Sequence, residues 1–265
     1  MRVNLTIHKD NTGSRDLGAL FERRAVSDQA LTELFDNPDE QRAYEEFCAN
    51  QERGNQPFNL DAPALVCRWR MSKKRVPLLN RHIRALSQRV VMGEPLTHNM
   101  LSWAKQHVEW SLTEGSYAEH DGVLMLVIDV NGNAAMTVGA YEPLVDTSVA
   151  ALAARAEAAR LEETEAGVAP EVLCCMRDGR LLVAAGEHVC GSLSLVEQLA
   201  ATRGIAVEYV GSGDAFLKDV HSSSIPIFLV SDEHGVVPAR EVDEEQSDDA
   251  NLVRFLRDGV AKLFS

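Results

Sequence analysis

Three observations in the sequence predict an α/β protein of α+β character, built from mixed sheets, hairpins and flanking helices. Two apolar runs flank Asn131-Gly132 in GVLMLVIDVNGNAAMTVGAYEPL, and Asn-Gly is the preferred pair for a tight type I′ hairpin. A second hairpin turns at Asp178-Gly179, between EVLCCMR and RLLVAAG. Segments of helical character accompany them: Leu101, Ala104, Val108 and Leu112 recur at helical spacing, and an alanine- and glutamate-rich stretch covers 148–166. The order lacks the regular strand–helix alternation of a doubly wound parallel sheet.

From the start of the chain, Val3, Leu5 and Ile7 alternate with polar residues, so 2–8 reads as a strand. The stretch 15–53 is helical in character, with Ser27 and Asn37 as N-caps and Pro38 at a first helical position. QERGNQPFNLDAP (51–63) is polar and turn-rich, a candidate linker. A strand at 64–71 precedes helices at 77–92 and 98–112. Beyond the second hairpin the pattern predicts a helix at 192–203, a strand at 205–210, a short helix at 214–220, strands at 225–230 and 236–242, and an amphipathic helix at 249–264. The acidic run 241–249 reads as a solvated loop.

The 265 residues suffice for one large or two small domains, and 45% hydrophobic content supports a core without staples. A net charge of −14 argues against nucleic acid and anionic membrane surfaces as partners. No apolar run approaches the ~18–20 residues that span a bilayer, and MRVNLTIHKD lacks a hydrophobic signal core, so the expectation is a cytoplasmic protein. Five cysteines, an odd number without C-x-x-C spacing, suit reduced, buried thiols.

Three constellations could carry chemistry. Gly211-Ser212-Gly213 between a strand and a helix has the form of a phosphate turn, but a third glycine is missing and Asp214 would repel an anion, which makes Asp214 a plain helix cap. His188 and Cys190, with Cys174 or Cys175 across a hairpin, could make a metal site; two-residue spacing alone does not, and no metal is expected. The residues Arg68, Arg70, Lys73, Lys74, Arg75, Arg81, Arg84 and Arg89 form the basic cluster of an acidic chain. Arg68 and Arg70 share one strand face, where planar guanidinium forks could take a carboxylate or phosphate.

The order of these pieces resembles the fold-type IV (class IV) pyridoxal-phosphate enzymes, which include branched-chain and D-amino-acid aminotransferases and aminodeoxychorismate lyases. Two blocks carry the likeness, over about half of the chain. ALVCRWRMSKKRVPLLNRHIRAL (64–86) is similar to the family's strand, basic turn and helix, with Arg70 at its strand arginine and His82 at its helix histidine. From Pro170 onward, EVLCCMRDGRLLVAAGEHV, SLVEQLAATRGIAVEYV and IFLVSDEHGVVPAREVD follow in the family's order. The resemblance implies a two-domain shell, with a smaller domain over 1–142 and a second over 143–265, and a homodimer.

The family's functional positions mostly fail. Its chemistry needs an amine for the Schiff base, and no lysine lies between Lys105 and Lys218. The arginine that grips the cofactor phosphate falls at Ala85, with Arg84 about 100° around the helix. The glutamate that holds the pyridine nitrogen falls at Val183. The two phosphate turns become Gly191-Ser192-Leu193-Ser194 and Val230-Ser231-Asp232, the second with a carboxylate where an anion should sit. The resemblance therefore implies the shell without pyridoxal phosphate: no catalytic residue, no cofactor, and a small anionic ligand held by Arg68, Arg70, Ser192, Ser194 and Ser231, or action through protein contacts. One alternative is an active aminotransferase or lyase anchoring pyridoxal phosphate on Lys105 or Lys218. Another is an unrelated cytosolic α/β domain that binds an anion on the Arg68/Arg70 strand.

Overall fold

Strand β1 (Pro63–Met71) leads into helix α1 (Leu79–Leu86), a small hairpin of β2 (Val90–Val91) and β3 (Glu94–Pro95), helix α2 (His98–Glu114) and strands β4 (Gly122–Asp129) and β5 (Ala134–Gly139). Helix α3 (Val149–Ala166) follows, then β6 (Val172–Arg177), β7 (Arg180–Ala184), α4 (Leu193–Thr202), β8 (Ala206–Val210), β9 (Ile227–Ser231), β10 (Gly235–Pro238), α5 (Arg240–Asp243) and α6 (Asp248–Ala261). A 3₁₀ turn at Lys262–Phe264 closes the chain. This computed structural model describes residues 58, 63–91, 93–115, 117, 119–130, 133–211, 213, 225–243 and 246–265. The strand expected at 2–8, the helical stretch 15–53, most of the linker, Asn131-Gly132, Asp214 and the short helix 214–220 lie outside the described residues.

Two sheets carry the fold. β1-β4-β5 is antiparallel throughout, and β10-β9-β6-β7-β8 is antiparallel except where β7 and β8 run parallel on either side of α4. The central strands β4, β6 and β9 are apolar along nearly their whole length because both of their faces are covered. One core gathers Trp69, Met71, Leu124 and Leu126 under Leu101, Val108 and Leu112 of α2. The other gathers Met176, Leu181, Ile227, Phe228 and Leu229 between α3, α4 and α6, through residues such as Leu152, Leu193 and Leu256.

The hairpin at Asp178-Gly179 forms as its sequence predicts, with both residues in the left-handed region that a two-residue turn requires. Asp249, in the first turn of α6, accepts both of their N–H groups at 2.9 Å. Two expectations are corrected. The helix predicted over 77–92 ends at Leu86, because Gln88 and Arg89 donate to Ala85 and Leu86 in tight turns and the chain reverses into β2 and β3. The strand predicted over 236–242 stops at Pro238, which has no N–H to continue a ladder, and Ala239 closes the strand onto Ile227 before α5 begins.

The turn between β1 and α1 is unusual. Lys73 and Lys74 both have positive φ, 52° and 57°, at a cost of about 1–2 kcal/mol each for a side chain with a Cβ. Asp121 holds them there: its Oδ1 accepts Ser72 Oγ at 2.8 Å and Lys73 N–H at 2.9 Å.

β1 is also where the two sheets meet. Val66 donates to the Gly167 carbonyl at 3.1 Å and accepts from Ala169 at 3.0 Å, while Arg70 N–H donates to the Asp232 carbonyl at 3.0 Å. Gly167 caps α3 with φ 62°, and a Cβ there would stand 1.9 Å from the Ala64 carbonyl oxygen. Gly167→Ala should therefore cost at least about 2 kcal/mol, more than the conformational term alone. Urea unfolding measures this as a lower midpoint with unchanged slope.

Candidate functional site

The chain from β9 into β10 reverses through Ser231, Asp232, Glu233 and His234, facing β1. Arg68 and Arg70 share a face of β1, as alternation predicts, but they do different things. Arg70 lies 3.2 Å above the centroid of the Tyr141 ring and 5.2 Å from that of Phe264, a cation–π arrangement that takes it out of the cavity wall. Arg68 lines a cavity of ≈140 Å³ together with Arg155, Glu171, Ser231, Asp232 and Glu233.

A polar network floors this cavity. Arg155 forms a two-pronged pair with Glu171 and reaches His234 Nε2 at 3.0 Å. Ser231 Oγ donates to Glu171 Oε1 at 2.8 Å and accepts the N–H groups of Glu233 and His234. A guanidinium only donates, so His234 Nε2 accepts and its proton sits on Nδ1, which is buried without a hydrogen-bond partner among the described residues. Burial, then the Arg155 charge, pushes the His234 pKa down to about 4. Burial also raises the Glu233 carboxyl, opposed by Arg68 and Arg155. Arg155 and Ser231 are committed to partners, whereas Arg68 makes no hydrogen bond or ion pair through its side chain with any described residue, and it is exposed at the cavity mouth.

Asp232 faces the other way. Its carboxylate is 7% exposed as a residue and sits on the start of α4: Ser192 N–H donates to Oδ1 at 2.7 Å and Gly191 N–H to Oδ2 at 3.2 Å. His82 Nδ1 makes no aligned hydrogen bond, yet stands 3.2 Å from Asp232 Oδ2. The His82 ring stacks on Trp69, centroids 5.2 Å apart and 6° from parallel. Gly191 is required by this packing, since a Cβ would fall 2.6 Å from His82 Nδ1. Burial by itself would raise the Asp232 pKa; the His82 ring and the Ser192 hydrogen bond outweigh it and hold the group below the ordinary carboxylate value.

Of the residues singled out in the sequence, Arg68 and Ser231 thus line one cavity. Ser192 lends its N–H to Asp232, and Ser194 Oγ donates to the Gly191 carbonyl at 2.8 Å and accepts from Arg81 at 2.9 Å. His188 pairs with Glu163 and Cys190 Sγ donates weakly to the Val230 carbonyl, so the two do not converge. Among the described residues no group of three or more His, Cys, Asp or Glu is placed to hold a metal ion. Burial pushes Cys67 up to about 12, with Asp232 adding to it, so its thiol stays protonated. Arg155, Glu171 and His234 were not foreseen; the available signal was the pair of arginines, Arg155 and Arg160, in the alanine-rich 148–166 stretch.

Comparison with solved structures defines the fold. The chain is similar to a hypothetical aminotransferase from Mycobacterium tuberculosis in its PLP-bound form, with a TM-score of 0.51 and 14% identity over 78% of this chain and 95% of that one. The form of that protein with alpha-ketoglutarate and PMP bound matches with a TM-score of 0.52, at the same identity and coverage. A fold IV-transaminase from Curtobacterium pusillum matches with a TM-score of 0.49 and 15% identity over 80% of this chain and 91% of that one. No protein-family model and no curated protein matches the chain. The fold is that of the class IV aminotransferases. Among the described residues no helix is long and apolar enough to cross a membrane.

Two groups give stability separate pH windows. His234 has a folded pKa below its ordinary 6.5, so the unfolded chain takes up the proton first and stability falls as pH drops from 6.5 toward 4, by up to about 3 kcal/mol. Asp232, with a depressed folded pKa, contributes stability above about pH 3.9 that is lost as pH falls further. Plotted against pH, Tm should lose the upper slope in His234→Gln and the lower slope in Asp232→Asn.

Proposed function

We propose that this chain is a cofactor-free protein with the class IV aminotransferase fold, which binds a small anion at Arg68 instead of carrying out pyridoxal-phosphate chemistry. The observation that carries this reading is the Asp232 carboxylate on the N–H groups of Gly191 and Ser192. The sequence resemblance puts the cofactor phosphate at that turn, and two anions do not share one pair of donors.

The remaining positions agree. Among the described residues no lysine lines the Arg68 cavity. Val183, where the resemblance puts the partner of the pyridine nitrogen, is a buried core residue. Arg155 and Glu171 occupy the interior, and ≈140 Å³ is below the ~300–1,000 Å³ of ordinary ligand pockets, so a group of a few atoms fits better than an aromatic cofactor. Arg68 supplies the fork for a carboxylate or inorganic phosphate.

Purified protein mixed with pyridoxal phosphate should show no Schiff-base absorbance band, and borohydride reduction should leave no stable adduct at a single lysine. A stoichiometric adduct at Lys105 or Lys218 would replace this reading with that of an enzyme whose lysine is displaced. Calorimetry with acetate and with phosphate tests the anion: Arg68→Ser should weaken binding at least about tenfold, or about 1.4 kcal/mol.

A further inference from the structure

A second and larger cavity, ≈520 Å³, opens between the start of β1, the residues after α1, the last turns of α3 and the loop after β7. It is distinct from the Arg68 cavity. Arg155, Ala158, Ala159 and Glu162 of α3 line the first, and Arg160, Glu163 and Thr164 line the second. At 100° per residue these sets fall on different faces of the helix, and Glu165, in the last turn of α3, also lines the second.

Its wall holds a cation in an unusual state. The Arg89 side chain is 10% exposed, and its one ion contact among the described residues is Glu163 Oε1 at 3.8 Å, beyond hydrogen-bond reach. It makes no side-chain hydrogen bond with a described residue, so none of its five N–H donors has an acceptor among the described residues. No Arg89 nitrogen is among the fully buried atoms without a partner, so these donors open onto the cavity, where an acceptor brought from outside can reach them. A planar oxyanion matches the guanidinium fork.

The second group is His188, whose Nδ1 lies 2.8 Å from the same Glu163 Oε1. With the neutral imidazole donating Nδ1–H to the carboxylate, Nε2 is left as an acceptor, and it has no hydrogen bond to a described residue. Glu163 thus orients a proton acceptor beside an unmatched guanidinium. The two charges nearest the floor, Arg89 and Glu163, cancel. At the rim Glu165 and Glu187 are exposed, and Arg160 is paired with Glu157 at 3.4 Å. This balance disfavours a multiply charged ligand. We infer that the cavity is a binding site for a small hydroxycarboxylate, its carboxylate on Arg89 and its hydroxyl donating to His188 Nε2. The assignment is independent of the anion at Arg68.

Imidazole resonances of His188, identified by their loss in His188→Phe, report binding in the full chain titrated with lactate, propionate or inorganic phosphate. Lactate should give a saturable shift and bind at least tenfold more tightly than propionate. Arg89→Gln should abolish the response with thermal unfolding still cooperative, while Arg68→Ser leaves it unchanged. If Arg89→Gln does not fold, Arg89→Lys keeps the charge without the fork and should weaken lactate at least tenfold. No saturable response to a Kd of about 10 mM, a response to phosphate alone, or one that survives both Arg89 variants overturns the site. Equal affinity for lactate and propionate overturns the role given to His188.

Discussion

The contact on which the rest of this structure depends is a carboxylate seated on the beginning of a helix. Asp232 receives N–H groups from Gly191 and Ser192 at the start of α4, while its own carbonyl receives Arg70 N–H from β1. One residue therefore ties the five-stranded sheet, the helix packed on it and the edge of the three-stranded sheet. The positive end of the α4 dipole favours the negative charge, and His82, pressed between Trp69 and Gly191, closes the remaining side. A buried carboxylate held this way is stabilising only as a complete set; removing one partner leaves the charge without compensation.

The paired sheets follow from that tether and from the bonds of Val66 to Gly167 and Ala169. β1 is apolar on one face, where Trp69 and Met71 are buried, and basic on the other, where Arg68 and Arg70 stand. That division turns the joint between the sheets into a polar cavity rather than a continuous core. Arg155, Glu171, Ser231 and His234 then satisfy one another across it, and Arg68 at the mouth keeps its donors.

Much of the fold was legible because its signals are local. An apolar run beside Asn131-Gly132 marked β4, Asp178-Gly179 marked a hairpin, and the alanine-rich stretch marked α3 within a residue of its start. What was not legible is what tertiary contacts decide. The residues 87–92 could continue a helix by composition, but the tight turns after Leu86 lead Val90 and Val91 into β2 instead. Arg68 and Arg70 are equivalent by spacing; Tyr141 and Phe264, far along the chain, separate them. Asp232 was visible as a misplaced carboxylate, whereas its donors were seen only as a degenerate turn. Arg89 appeared as one cation among eight, and its partners Glu163 and His188 come from two other segments.

The turn at Lys73-Lys74 bears on how the chain meets proteases. Trypsin-like enzymes read lysine and arginine in an extended backbone, and Lys73, Lys74 and Arg75 are the densest run of such residues on β1 and its turn. Two consecutive left-handed residues bend the chain away from that conformation, and Asp121 holds the bend through Ser72 Oγ and Lys73 N–H. The most basic stretch of the described surface is thus shielded from cleavage by its backbone geometry, although Lys73 and Arg75 are exposed.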